Sequence, residues 1–262
     1  SNGWGVPMAT DIAFSLGVLS LLGKRAPLSL RIFLTALAII DDLGGILTIA
    51  IFYASAIQWN YLLMAGGIMV ILSIFNIIKL RFHAVYIALG LVLWYFIFNS
   101  GVHATIAGVL LAFTIPLHRI GRLEHALHDP VSFIILPLFA LANTAILLPG
   151  NFGSILGSPV NYGILCGLVI GKPLGIFLFS RAAVAFNLTT LPGDLKWMHV
   201  LGMGMIAGVG FTMSIFMSTL AFGIPEVQTI AKVSVLIASL IAGIAGFVFL
   251  TVTVKKKAAI GG

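Results

Sequence analysis

Charge is scarce in this chain: Asp, Glu, Lys and Arg make up 8% of its 262 residues, against roughly a quarter in a soluble domain. That scarcity excludes an ordinary water-soluble fold. Cysteine is nearly absent as well. The single residue, Cys166, excludes an intrachain disulfide framework and any CxxC metal or redox site. No succession of ten-residue segments alternates polar and apolar residues, which argues against a transmembrane β-barrel. No polar stretch of domain length interrupts the chain, and no signal-peptide n-region or h-region opens it.

What is present is apolar: 60% of the residues belong to the set AVILMFWYC, and the mean hydropathy is +1.17. The composition predicts an all-α polytopic membrane protein whose main partner is the lipid bilayer. A membrane-crossing helix needs about 20 predominantly apolar residues, and nine windows qualify: 6–22, 28–52, 60–78, 83–98, 101–116, 128–148, 161–181, 197–222 and 229–254. With 29 Gly and 10 Pro these helices are not uniform, which membrane helices tolerate when neighbours re-satisfy the backbone.

A net charge of +7 would suit a nucleic-acid partner, but the placement of the charges excludes one. Lys24, Arg25, Arg31, Lys79, Arg81, Arg119, Arg122, Arg181, Lys196, Lys255, Lys256 and Lys257 all fall at alternate ends of the windows, against Lys232 alone at the opposite ends. By the positive-inside rule the C-terminus is then cytoplasmic. Nine spans would put Ser1 outside. The opening Ser1-Asn2-Gly3-Trp4 has no initiator Met, so the expectation is a chain lacking its natural beginning.

Four ionisable residues lie inside apolar windows: Asp11, Asp41, Asp42 and Lys172. Each costs about 2.5–3.5 kcal/mol at mid-helix. A structural ion pair would account for one lysine and one carboxylate, but two negative charges stay unmatched. Such a site invites cations or protons. Asp41 and Asp42 are adjacent, and successive helical residues point about 100° apart, so one can face a partner helix while the other faces a cavity. Two carboxylates this close resist being ionised together, so protons can compete with a metal cation. Oxygen donors suit a hard ion such as Na⁺.

Asp11 follows Pro7 and Thr10 in a window that reads as a broken helix. The run Ile206-Ala-Gly-Val-Gly-Phe-Thr-Met-Ser is similar in character, with Gly208, Gly210, Thr212 and Ser214 interrupting it. Paired interrupted helices in two halves of a chain point to an inverted-repeat transporter site; close helix packing is the alternative reading of the two glycines. Pro173 after Lys172 excludes a P-loop. His103 reads either as a hydrogen-bonded packing residue or as a titrating one. Glu124, His125 and His128 share one helical face, as a solvated cap or as a sensor of cytoplasmic pH, and their spacing is not that of a zinc site. The sequon at Asn187 falls on the cytoplasmic side and reads as chance.

Together, several runs resemble the NhaA family of bacterial Na⁺/H⁺ antiporters: Met8-Ala-Thr-Asp-Ile-Ala-Phe, Leu37-Ala-Ile-Ile-Asp-Asp-Leu-Gly, Ser100-Gly-Val-His-Ala-Thr-Ile-Ala-Gly, Arg122-Leu-Glu-His, Ile170-Gly-Lys-Pro-Leu-Gly and Gly208-Val-Gly-Phe-Thr-Met-Ser-Ile-Phe. They occur in family order over nearly the whole chain. The resemblance implies an inverted-repeat antiporter fold with two interrupted helices, of which this chain would hold about nine of twelve spans. Residues 1–262 would form one transmembrane domain, with 1–52 the rest of the first repeat and 160–254 the second.

It further implies that Asp42 is the principal Na⁺/Li⁺ and proton-exchanging carboxylate, with Asp41 its neighbour paired to Lys172. The Na⁺ would sit at Asp42 and Asp41. Thr10 and Asp11 would lie at the crossing of the broken helices, compensating helix ends and helping to hold the ion. Gly208 and Gly210 would mark the second break, and Glu124, His125, His128 and His103 a region linked to pH activation. The implied activity is electrogenic exchange of Na⁺ or Li⁺ for H⁺ by alternating access in the bacterial inner membrane, serving sodium and pH homeostasis. No cofactor and no nucleic acid take part. A homodimer is implied through an extracellular hairpin that the matching runs do not include, and a non-functional truncated homologue is the alternative. An intramembrane aspartyl protease would need Asp11 and Asp42 as a shared-proton dyad, but neither lies in GxGD. A retinal-type pump with Lys172 as Schiff base disagrees with nine spans and with Pro173. The chain is expected not to be an enzyme.

Overall fold

The computed structural model describes residues 2–53, 57–80, 82–144 and 152–254. Among them there is helix and no strand. The helices are α1 (Ile12–Ser20), α2 (Leu28–Phe52), α3 (Trp59–Ile77), α4 (His83–Asn99), α5 (Thr105–Thr114), α6 (Leu117–Pro130), α7 (Leu136–Thr144), α8 (Phe152–Leu156), α9 (Pro159–Cys166), α10 (Lys172–Ala185), α11 (Trp197–Ala207), α12 (Phe211–Ala221) and α13 (Pro225–Thr253). A π-helical turn, Val131–Ile135, joins α6 to α7, and another, Gly167–Gly171, joins α9 to α10.

Helix occupies each of the nine apolar windows, but not at the lengths the windows suggest. Among the described residues five helical stretches are long and apolar enough to cross a membrane alone, and α11 with α12 makes a sixth, bent by 53°. The first window opens on a turn over residues 6–8, continues through non-helical backbone over 9–11, where Asp11 is extended, and only then enters α1; α5 has ten residues. The reason is that hydropathy counts apolar residues without asking whether their backbone groups are paired within one helix. Extended backbone at membrane depth persists where protein groups satisfy it.

Helix ends follow local chemistry. Ser158 caps α9, its hydroxyl accepting from the Val160 N–H at 3.3 Å, with Pro159 as first helical residue. Two residues past the end of α10, Asn187 adopts φ 56°, and Leu188 N–H then reaches the Ala183 carbonyl at 2.9 Å. Asparagine tolerates that left-handed position better than most residues. The sequon residue therefore has a local structural reason to be Asn.

The chain divides into two units. In the unit of residues 1–45 and 142–262, α11 packs on α10 and α13. α13 presents the small buried residues Ala231, Ser234, Ala238 and Ala242, which admit a close helix approach. Its core joins Leu19, Leu30, Leu34, Met203, Ile206 and Leu250. In the unit of residues 46–141, α3, α4 and α5 pack together around Ala65, Leu72, Leu93, Ile97 and Ala107. Large hydrophobics such as Leu28, Leu63, Phe98 and Phe179 remain exposed in both, as expected of surfaces solvated by lipid.

Candidate functional site

The buried stripe of α2 runs through Leu30, Leu34 and Ala38. Three and four residues further on, the same helical face arrives at Asp41 and Asp42. The pair therefore stands where another aliphatic side chain would continue the core.

The two carboxylates differ in their surroundings. Asp41 Oδ2 accepts from the Thr10 hydroxyl at 2.8 Å and pairs with Lys172 Nζ at 3.2 Å. The ammonium also donates to the Met8 carbonyl at 2.8 Å. Asp42 Oδ1 is buried without a hydrogen-bond partner. The expectation that the neighbours face different surroundings thus takes a definite form: Asp41 is tied down and Asp42 keeps an unused oxygen. On one side of the Asp41–Lys172 pair lies a cavity of about 500 Å³, otherwise mostly apolar, with Trp4, Phe33 and Phe179 in its wall.

Lys172 owes its position to the π turn before it. Its N–H bonds the Gly167 carbonyl, five residues back, and Pro173 has no N–H to offer. The Leu168 carbonyl is thereby deprived of both donors that a helix would give it. It turns towards Gly208, where a Cβ would collide with it. Gly208 is thus required by a close approach between the π turn and the second break.

Asp11 closes the crossing of the two breaks. Its N–H donates to the Val209 carbonyl at 2.8 Å. Its carboxylate accepts from Phe14 N–H at 3.1 Å, Thr212 N–H at 3.1 Å and the Thr212 hydroxyl at 2.5 Å. One side chain therefore caps α1 and α12 at once, and its negative charge faces two helix N-termini, each worth roughly half a positive charge. At the opposite polarity, the carbonyls ending α11 are served by hydroxyls: Ile206 by Ser15 at 3.3 Å and Ala207 by Thr10 at 3.1 Å. Phe211 N–H donates to Ser239 Oγ at 3.1 Å. With its oxygens so occupied, Asp11 is poorly placed to share a proton with Asp42 as a protease dyad would require.

Thr10, Asp11, Asp41, Lys172, Gly208 and Gly210 are thus linked through the breaks of one unit, with Asp42 next to Asp41 on α2. The remaining residues lie in the other unit. Glu124, His125 and His128 are exposed on α6. His103 precedes α5, with its Nδ1 3.0 Å from the Thr105 hydroxyl and accepting from the Thr105 N–H at 3.4 Å, so it helps to cap that helix. Among the described residues no group of three or more His, Cys, Asp or Glu could hold a metal ion. Sequence reasoning passed over Ser15 and Ser239 because neither lies beside an intramembrane charge or a glycine break; their signal was a hydroxyl on an otherwise apolar run.

The family profile described as Na⁺/H⁺ antiporter 1 matches residues 1–250. "Na(+)/H(+) antiporter NhaA 1" of Flavobacterium johnsoniae is 53% identical over 255 residues, covering 95% of this chain and 67% of its own length. "Na(+)/H(+) antiporter NhaA" of Cytophaga hutchinsonii is 49% identical, covering 97% and 67%, and that of Salmonella paratyphi A 47% identical, covering 98% and 68%. The chain therefore spans about two thirds of the length of these curated relatives.

Proposed function

The chain belongs to the Na⁺/H⁺ antiporter 1 family, and from that premise we propose that it exchanges Na⁺ for H⁺ across a membrane, with Asp42 as the carboxylate for which the two ions compete. The observation that carries this reading is the buried Asp42 oxygen without a partner, beside a neighbour already neutralised by Lys172. A buried carboxylate without a fixed countercharge is stable with a bound proton or a bound cation, and binding one expels the other. That mutual exclusion is the core of antiport.

Asp41 and Thr10 supply further oxygens to the ion, and Li⁺ competes for the same place. Asp11 holds the two breaks together by compensating their helix ends. Alternating access moves the breaks of the two inverted repeats, 1–52 and 160–254, against each other around Asp42. More protons than sodium ions cross per cycle, so transport is electrogenic, the second proton travelling on Asp41 or on Lys172. Glu124, His125, His128 and His103 tune activity to pH. The protein resides in the bacterial inner membrane as a homodimer, with its C-terminus in the cytoplasm as the basic residues argue. No covalent bond is made or broken, so the protein is a transporter rather than an enzyme.

The test is Na⁺- and Li⁺-triggered proton movement in everted membrane vesicles, with this chain as it stands and extended by the remaining segments of a relative. Exchange that disappears in Asp42→Asn, with the protein still inserted and folded, supports the reading. Exchange that survives Asp42→Asn removes Asp42 from the mechanism, and no exchange in either form, with the protein folded, leaves a non-transporting homologue.

A further inference from the structure

Ser214 lies in the first turn of α12 and is fully buried, at 0% exposure. Its hydroxyl oxygen has no hydrogen-bond partner. Buried hydroxyls are almost always satisfied, so an orphan at a helix break asks for a ligand. Its N–H is used on the Gly210 carbonyl at 2.7 Å, while its Oγ leans back over Gly210, where a Cβ would collide with it. The same Cβ position lies 3.1 Å from the Ala9 carbonyl oxygen. A hydroxyl oxygen and a carbonyl oxygen thus both lie close to where a Gly210 side chain would stand.

The location adds to the argument. Ala9 precedes Thr10, whose hydroxyl reaches Asp41 at 2.8 Å. The positive ends of α1 and α12 would repel a cation here, but Asp11 caps both, and one full negative charge offsets two half-charges. What remains is a nearly neutral place where the Ser214 hydroxyl oxygen and the Ala9 carbonyl oxygen approach Gly210. Unwound carbonyls and hydroxyls of broken membrane helices are the oxygen donors that suit Na⁺ and Li⁺.

We propose that Ser214 Oγ and the Ala9 carbonyl form a second oxygen station for the transported cation, beside Thr10, at which the ion exchanges water for protein oxygen as it passes between the breaks. The station rests on the antiport reading for the identity of its ion, and it makes Ser214 a determinant of cation affinity. Because a serine hydroxyl does not titrate near neutral pH, its loss affects the cation and not the proton.

The experiment compares wild type, Ser214→Ala and Ser214→Thr in two measurements. One is the apparent KM for Na⁺ and for Li⁺ in everted vesicles at several pH values. The other is the rise in Tm of the purified protein on adding each ion. Ser214→Ala is expected to raise the KM about tenfold, the worth of one lost neutral ligand. It should also shrink the cation-dependent rise in Tm, leave the pH profile in place and leave the ion-free Tm equal to or above wild type, since no protein hydrogen bond is lost. Ser214→Thr should restore most of the affinity. Unchanged KM and an unchanged cation-dependent rise in Ser214→Ala overturn the station, and so does a fall in ion-free Tm with the affinity intact. A wild type that binds cations without exchanging them overturns the antiport reading alone, and the station is then judged on the Tm rise in Ser214→Ala. A wild type with neither exchange nor a cation-dependent rise overturns both.

Discussion

In the unit of residues 1–45 and 142–262, Asp11, Asp41 and Lys172 each engage groups far away along the chain. In the unit of residues 46–141, Glu124, His125 and His128 stand exposed on α6, and His103 has a hydrogen bond to a residue two positions on. The contrast follows from solvation. A charge removed from water must find partners wherever the fold brings them, whereas an exposed side chain has water and needs none. Partners are therefore informative about the first set and silent about the second.

Five variants grade that contrast, each read as thermal unfolding of the purified protein in detergent. Lys172→Ala should be the most damaging, at about 3 kcal/mol, the lower end for breaking a buried pair because the Asp41 side chain keeps 20% exposure. Adding Asp41→Asn should recover most of that loss; no recovery would mean that Lys172 acts mainly through the Met8 carbonyl. Asp11→Ala removes the cap of two helices and should cost about 2 kcal/mol, twice a single cap. A loss no larger than one cap would argue that the crossing of the breaks is held by the backbone bond from Asp11 to Val209.

Smaller effects sharpen the comparison from its other end. Ser239→Ala deprives Phe211 N–H of its acceptor and should cost about 1 kcal/mol. The double change His125→Ala with His128→Ala should stay within about 0.5 kcal/mol of wild type, as exposed substitutions usually do. If these histidines tune activity, the same variant should shift the pH profile of exchange while its Tm stands still. A large change in Tm would instead show that the α6 face is covered by protein.

Much of the architecture was legible before any coordinates. Each apolar window holds helix, and Gly208 and Gly210 stand at the bend between α11 and α12. Asp11, Asp41, Asp42 and Lys172 drew attention because each is expensive in lipid. The lengths of the helices were less legible, since hydropathy sees residues 6–22 as one apolar window and not the non-helical backbone over 9–11. The π turn before Lys172 left a trace in Pro173, but its effect on the Leu168 carbonyl needs the neighbouring helix to become visible. Among Ser15, Ser214 and Ser239, the sequence marks only Ser214, as part of the interrupted second run. In the structure Ser15 donates to a helix end, Ser239 accepts from one, and Ser214 has no partner at all.

The sequence by itself determined the solvent of this protein and therefore its class, because scarce charge and long apolar runs leave a helical chain in lipid as the affordable state. It also marked the residues whose presence there demands a reason. Only the tertiary structure decided how the surroundings of Asp41 and Asp42 differ. Adjacent helical residues point about 100° apart, and nothing local says which of the two directions meets Lys172. The partners that separate them, Thr10 on one break and the ammonium at the start of α10, come together only when helices distant in the chain pack.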